Sequence, residues 1–295
     1  MLSRVAPHRF LSSPLSSFRT FSTATEPTLS ADDLISVLTP LAVSISHDLH
    51  TKGYWTNNGI RCNATSSDAA SSIATHFTPL IPLSTIAIMR YQAIKLRDNG
   101  RYEQSYSEAI SATGVATRFD KEGVFACEPD GGDYDVAPDL LVYMSTIISH
   151  LPVLLNESSP TSYAISNQAF NAKLAVTSAG GSVYPRHIDN PTGVQGGDTR
   201  KLTCIVYLNP EYEAVQRGEL RLFLGEGEVV DIEPAGGTIA VFWSDEIPHE
   251  VLPTAPTLIG EEFDRYALTI WLPTDDVGVL HCPESKFKSL REQAF

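Results

Sequence analysis

The chain has 295 residues, 42% of them hydrophobic, so it can bury one sizeable core with supporting helices. Its 21 basic and 35 acidic residues give a formal net charge of −14. A protein that binds the phosphates of a nucleic acid needs clusters of Lys and Arg, and an acidic chain repels them. This composition argues against a nucleic acid partner. No apolar run approaches the length that a membrane span requires, so no membrane partner is expected either.

Residues 1–25 differ in composition from the rest of the chain. They are rich in Ser, contain Arg4, Arg9 and Arg19, and carry no acidic residue. This composition is typical of an organelle transit peptide rather than a secretory signal, which needs a continuous apolar stretch. Arg19 lies two residues before Phe21, which resembles a mitochondrial processing site. We expect a mitochondrial protein; the alternatives are a plastid protein, or a cytoplasmic one with a disordered tail.

Residues 26–166 are predicted to form a helical support region. Apolar residues recur at helical spacing after Ser30, and Pro40 can begin a second helical segment there. Another helix is expected from about Ser84 to Asn99, and a third after Pro138. The segment VFACEPDGGDYDVA between them is predicted to be a strand that enters a Gly/Asp loop.

From residue 167 to 275 the pattern changes to short segments rich in β-branched and aromatic residues, bounded by Gly, Pro and Asn. The segments are AKLAVTS, KLTCIVYL, ELRLFLG, EVVDIEP, GTIAVFWS and RYALTIWLP. Many short strands with helices to one side predict an α+β fold with a double-stranded β-helix, or jelly-roll, core. Residues 276–295 are a C-terminal tail.

One His-x-Asp motif, His187-Ile188-Asp189, lies among these strands, and His249 follows sixty residues after Asp189. Alternate residues of a strand point to the same face, so His187 and Asp189 can bind one ion. Two histidines and one carboxylate form the facial triad of non-haem Fe(II) oxygenases. The motif alone is weak, and a surface His beside a turn Asp is the alternative.

Three further side chains strengthen the prediction of an iron site. Arg265 opens the apolar strand RYALTIW, where a charge is costly unless it is paired, and Arg can grip a carboxylate through two parallel hydrogen bonds. Thr269 shares its face, and Tyr207 supplies a phenol from another strand. The alternatives are an ion pair of Arg265 with Asp264 or Glu262, and plain strand packing for Tyr207.

The segments YPRHIDNP, KLTCIVYLNPEY, VVDIEPAGGTIAVFWSDEIPHEV and RYALTIWLP resemble the prolyl 4-hydroxylase branch of the Fe(II)- and 2-oxoglutarate-dependent oxygenases. Within that branch they are most similar to the hypoxia-inducible-factor prolyl hydroxylases. The resemblance implies an oxygen-responsive peptidyl-proline 4-dioxygenase that uses Fe(II), 2-oxoglutarate and O2, with ascorbate as the reductant. Its partner would be a proline-containing protein or peptide, and the acidic net charge suggests basic or neutral residues flanking that proline.

The resemblance also implies roles for single residues. His187, Asp189 and His249 would bind the iron, and Tyr184 would lie beside the metal. No catalytic side chain is expected beyond the metal centre.

The cosubstrate residues follow from the same resemblance. Arg265 would bind the distal carboxylate of 2-oxoglutarate, helped by Tyr207 and Thr269. Leu220 and Trp271 would form walls of the cosubstrate pocket.

Three departures from the family pattern stand out. Thr177 occupies a position where the family usually has Tyr, so one cosubstrate contact is expected to be lost. The loops 190–201 and 254–264 are longer than usual, and the first borders the substrate cleft.

Two other functions are compatible with this sequence. The same iron core can hydroxylate a small molecule such as a free amino acid, because site chemistry does not determine the substrate. A non-catalytic jelly-roll binding module is the other alternative, although such a module has no need to keep the triad together with Arg265.

The targeting prediction can be tested with residues 1–30 fused to a fluorescent reporter. We expect the fusion to accumulate in mitochondria and to be cleaved after Phe21, because the segment is basic, Ser-rich and free of acids. Import is checked by microscopy and by N-terminal sequencing. A diffuse cytosolic signal with an uncut N-terminus would support the disordered-tail alternative.

Overall fold

The structure is a computed structural model. It describes residues 30–57, 80–110, 116–159, 163–168, 170–193, 197–276 and 290. The predicted transit segment, residues 1–25, and most of the predicted C-terminal tail lie outside these residues.

Three helices and eleven strands make up the described chain. The helices are α1 (Ala31–Lys52), α2 (Leu83–Asp98) and α3 (Pro138–Ser158). The strands are β1 (Tyr54–Thr56), β2 (Glu103–Ile110), β3 (Ala116–Cys127), β4 (Asn171–Thr177), β5 (Tyr184–His187), β6 (Arg200–Tyr207), β7 (Leu220–Gly225), β8 (Glu228–Ile232), β9 (Ile239–Trp243), β10 (His249–Val251) and β11 (Arg265–Pro273).

The strands form two antiparallel sheets. The large sheet has seven strands in the order β1-β9-β6-β11-β4-β3-β2, and the small sheet has four in the order β5-β10-β7-β8. After β4 the chain crosses repeatedly between the two sheets, with β7 and β8 forming a hairpin within the small sheet, and such connectivity is that of a jelly roll. The predicted fold class is confirmed.

The region before residue 167 supplies strands as well as helices. The β2–β3 hairpin and β1 extend the two edges of the large sheet, with β3 paired to β4 and β1 paired to β9. The described part of residues 26–166 therefore adds strands to the large sheet as well as helices. Their strands were missed, apart from the end of β3, because polar hairpin strands such as EQSYSEAI lack a run of apolar residues.

Helix α1 runs without a break through Pro40, so the expected second helical segment does not exist. Ser30 caps the helix by accepting a hydrogen bond from the Asp33 N–H, and Asp33 bonds back to the Ser30 N–H. A single buried stripe that includes Leu34, Leu38 and Ile45 continues on both sides of Pro40. Packing of this stripe offsets the hydrogen bond that proline cannot make.

Helix α3 is long and apolar enough to cross a membrane by length and composition, so the expectation that no segment of the chain approaches that length is wrong. Its Leu140, Ile147 and Leu155 are nevertheless buried, and it contacts α1, α2 and β11. In this fold α3 is a core helix that covers the large sheet.

A fully buried ion cluster fastens β6 to the turn that precedes β10. The ammonium of Lys201 lies 2.9 Å from an Asp245 carboxylate oxygen and 2.9 Å from Glu246 Oε1. Burial raises the pKa of Asp245 to about 6 despite the nearby Lys201 charge. Lys201 contacts both buried carboxylates, so it is a structural residue.

We expect Lys201→Met to lower the free energy of unfolding by roughly 3–5 kcal/mol, because it leaves buried carboxylates without their cation. Lys52→Met is the control, since Lys52 is exposed and its ion pair among the described residues is with Asp48 one turn away. It should change stability by less than about 0.5 kcal/mol. Urea unfolding monitored by circular dichroism measures both. Equal stability of the two variants would show that the cluster is energetically neutral.

Candidate metal and cosubstrate site

Antiparallel pairing of β5 with β10 brings the two predicted histidine ligands together. His187 ends β5, His249 begins β10, and the two are register partners. Asp189 lies in the turn just after β5. One ligand atom from each of His187, Asp189 and His249 lies within 4.8 Å of the others, as a three-ligand metal site requires.

Both imidazole rings are oriented by hydrogen bonds to the backbone. His187 Nδ1 lies 2.9 Å from the Pro185 carbonyl, and His249 Nδ1 lies 3.1 Å from the Ile247 carbonyl. Since Nδ1 donates to a carbonyl in each ring, Nε2 keeps its lone pair. The two Nε2 atoms lie 3.5 and 3.8 Å from carboxylate oxygens of Asp189. These donors suit a divalent metal such as iron.

The protonation states also favour metal binding. Burial and the neighbouring His187 lower the pKa of His249 to about 4, so its ring is neutral near pH 7. Burial alone would raise the pKa of Asp189, but the charges of His249 and His187 lower it below its usual range. A neutral imidazole and an ionised carboxylate are the forms that bind metals.

A hydroxyl chain from the large sheet orients Asp189. The Thr203 hydroxyl of β6 donates to Asp189 Oδ2 at 2.8 Å, and it lies 2.7 Å from the Ser244 hydroxyl. Thr203 has one proton, which goes to Asp189, so Ser244 is the donor to Thr203. Sequence reasoning missed this role, because a Thr in a β strand is ordinarily read as a strand former.

Arg265 and Tyr207 meet on the large sheet. Arg265 is 8% exposed, its Nη2 donates to the Tyr207 hydroxyl at 3.0 Å, and its Nε has no hydrogen-bond partner among the described residues. Asp264, one of the two alternative partners considered for Arg265, instead binds Arg97 Nη1 at 2.7 Å. A buried guanidinium with an unused N–H fits a carboxylate ligand such as the distal end of 2-oxoglutarate.

The other predicted cosubstrate residues lie on neighbouring positions. Thr269 and Trp271 share the β11 face of Arg265, and Thr177 of β4 is the register partner of Arg265. Leu220 lies two residues from the direct partner of His249 on β7, so it has the same orientation toward the site. Strand register therefore places Thr269, Trp271 and Thr177 on the face that carries Arg265, and Leu220 on the face that carries His249.

Tyr184 lies beside the metal-site histidine, as expected, with its ring centroid 4.7 Å from that of His187. A residue without a predicted role accompanies it. The Lys121 ammonium lies 3.6 Å from the Tyr184 ring centroid and donates a hydrogen bond to its hydroxyl. No motif surrounds Lys121, so only the fold could reveal it.

The two long loops are fastened at their ends. Asn190 Nδ2 donates to the carbonyls of Asp198, at 2.6 Å, and Arg200, at 2.9 Å, which closes the described part of loop 190–201. In loop 254–264, the Thr254 hydroxyl accepts from the Gly181 N–H at 2.9 Å. Residues 194–196 of the first loop lie outside the described residues.

Residues 172–273 match the family model of the 2OG-Fe(II) oxygenase superfamily. This part of the chain is a 2OG-Fe(II) oxygenase domain, and the cofactor and cosubstrate of that family are Fe(II) and 2-oxoglutarate. The site described above offers three ligand atoms for a metal ion and the Arg265 guanidinium for a carboxylate.

Two curated relatives are similar over this domain. Human (Homo sapiens) Egl nine homolog 1 is 42% identical over 113 residues, which are 37% of this chain and 24% of that protein. Prolyl hydroxylase EGLN3 of Mus musculus is 42% identical over 103 residues, which are 34% of this chain and 38% of that protein. The chain thus spans less than two fifths of each of these relatives.

Among solved structures, a prolyl hydroxylase from Trichoplax adhaerens, in complex with a peptide fragment of the hypoxia inducible factor oxygen degradation domain, is similar in fold. Its TM-score is 0.56 at 25% identity, covering 80% of this chain and 90% of that chain. The similarity extends beyond residues 172–273, so it includes part of the region before the oxygenase domain.

We expect Thr203→Val to weaken Fe(II) binding about 10- to 100-fold, because Val keeps the shape but removes the hydrogen bond that orients Asp189. Thr146→Val is the control, since Thr146 is also buried but its hydroxyl, within the part of the chain that the structure describes, donates to the Val142 carbonyl of the same helix. Anaerobic calorimetry measures the affinity. Equal affinity of the two variants would remove Thr203 from the metal site.

Proposed function

We propose that this chain is an Fe(II)- and 2-oxoglutarate-dependent dioxygenase that hydroxylates prolyl residues of a protein at ring carbon four. The observation that carries the proposal is the convergence of His187, Asp189 and His249 on one point, with Arg265 holding an unused N–H on the facing sheet. The similarity to prolyl hydroxylases supports the choice of substrate.

Each part of the site has a role in this proposal. His187, Asp189 and His249 would hold the iron, and Thr203 would keep the Asp189 carboxylate in place. When bound, the iron with 2-oxoglutarate and O2 supplies an oxidant that converts a C–H bond to C–OH, releasing succinate and CO2.

Arg265 would position the cosubstrate. Its guanidinium pairs with the Tyr207 hydroxyl, which leaves its remaining N–H groups for the distal carboxylate of 2-oxoglutarate. Thr269 would help Arg265 and Tyr207 to bind that carboxylate, and Leu220 and Trp271 would form walls of the cosubstrate pocket. A dry, buried guanidinium fixes the orientation of the cosubstrate more firmly than one in water.

A prolyl substrate suits such a site, because its fixed φ lowers the ordering cost of an extended peptide. Tyr184 beside His187 would contact the substrate. Ascorbate as the reductant and a mitochondrial location, drawn from residues 1–25, are parts of the same proposal.

The test is a coupled assay with Fe(II), 2-oxoglutarate, ascorbate and O2. Proline-containing peptides should yield succinate and hydroxyproline in equal amounts, measured by mass spectrometry. His249→Ala should reduce both to background while the protein stays folded, because the neutral imidazole at this position is needed for metal binding. His47→Ala, an exposed histidine of α1, should behave as the unmodified chain.

Two outcomes contradict the proposal. Coupled turnover with a free amino acid and with no peptide would make the protein a small-molecule hydroxylase. No succinate above background under any condition would favour the binding-module alternative.

A further inference from the structure

Lys121 places a positive charge next to the predicted iron site. Its ammonium lies over the Tyr184 ring and donates to the Tyr184 hydroxyl, and the same ring contacts His187. Lys121 comes from β3 of the large sheet, whereas Tyr184 and His187 belong to β5 of the small sheet. The lysine therefore crosses the gap between the sheets beside the metal site.

A second lysine, Lys173, strengthens this positive field. It is the register partner of Thr269, so it shares the face of the large sheet that carries Arg265. Burial first, and then the charge of Lys173, lower the pKa of Lys121 to about 8, although Asp189 acts in the opposite direction. The two ammonium groups thus repel each other at one end of the site.

Neither lysine forms an ion pair with a carboxylate in the part of the chain that the structure describes. The contacts of Lys121 there are with Tyr184, an uncharged phenol whose pKa burial raises to about 12. A half-buried cation stays costly until an anion neutralises it. The arrangement is therefore incomplete without an anionic ligand.

The expected cofactor and cosubstrate do not supply that anion. Asp189 contributes −1 and Arg265 +1, while Fe(II) adds +2 and 2-oxoglutarate −2, and these four charges sum to zero. Lys121 and Lys173 then leave an excess of +2 at the site. An excess of this size, in a chain with a net charge of −14, is a local feature that attracts anions.

We propose that the substrate peptide carries a carboxylate, an Asp or Glu side chain close to the target proline, and that Lys121 recognises it. This inference rests on the proposed function and deepens it by naming the substrate class. It replaces the expectation of basic or neutral flanking residues drawn from net charge, because the charges nearest the reacting carbon outweigh distant, screened ones.

The position of Lys121 favours the substrate over the cosubstrate as the source of the carboxylate. Arg265 and Tyr207 already offer a buried carboxylate site on β11 and β6. Lys121 instead contacts Tyr184, the residue that the substrate is expected to meet. Lys121 is accordingly a specificity residue and takes no part in cosubstrate binding.

The experiment uses the full-length iron enzyme and pairs of peptides with one central proline. In each pair one flanking position carries Glu or Gln, and every position from three before to three after the proline is scanned. At one position or more, we expect kcat/KM to be roughly tenfold higher with Glu, the gain expected of a close charge pair. Lys121→Gln should remove this preference, and Lys121→Glu should reverse it in favour of the Gln peptide.

A matched control and a second readout accompany the variants. Lys95→Gln removes one exposed lysine on α2 and should keep the full preference for Glu. Fluorescence anisotropy of the same labelled peptides on metal-free protein should show the same Glu-over-Gln ratio of Kd values. The KM for 2-oxoglutarate should stay within about twofold in Lys121→Gln.

The outcomes separate the two proposals. Prolyl hydroxylation with equal rates for Glu and Gln at every position would overturn the role of Lys121 and leave the proposed function intact. A raised KM for 2-oxoglutarate in Lys121→Gln, with the peptide preference unchanged, would assign the lysine to the cosubstrate. No hydroxylation of any peptide would overturn the proposed function and this inference with it.

Discussion

The antiparallel pairing of β5 with β10 is the constraint on which the site depends. It makes His187 and His249 register partners, although they are far apart along the chain. A slip of one residue in either strand would turn one histidine to the opposite face of the sheet, and the metal site would be lost. Contacts from the large sheet to the residues around β5 and β10 stabilise this register.

Two features hold that register from the large sheet. The Lys201 cluster ties β6 to Asp245 and Glu246, which lie a few residues before His249. The Thr203 and Ser244 hydroxyls connect the same two segments to Asp189. Both features start on β6, so this central strand positions the donors on the small sheet. Buried charges are costly unless they are paired, so the Lys201 cluster favours the one packing of β6 against the turn before β10 in which all its charges meet.

The fold class, the second and third helices and the meeting of His187, Asp189 and His249 could be predicted from the sequence. They depend on local patterns: apolar spacing, turn residues and the HIDNP and PHEV segments. Pro40 was misread because packing of a continuous apolar stripe overrides its helix-breaking tendency. The β2–β3 hairpin was largely missed because its first strand is polar.

Lys121, Thr203 and Ser244 could not have been assigned roles from the sequence. Each is an ordinary residue type whose importance comes from a partner on another strand. Lys121 is distant in sequence from Tyr184, and only the meeting of the two sheets brings them together. Local sequence patterns can predict metal ligands. The roles of residues that orient those ligands or select a substrate can be recognised only from tertiary contacts.

The central claim is that one site binds both iron and 2-oxoglutarate. A crystal grown without oxygen, with Mn(II) in place of iron and with 2-oxoglutarate, tests it through anomalous scattering from the manganese. The account predicts one anomalous peak between His187 Nε2, His249 Nε2 and the Asp189 carboxylate, with the distal carboxylate of 2-oxoglutarate on Arg265. A peak at other side chains, or 2-oxoglutarate bound away from Arg265, would contradict it.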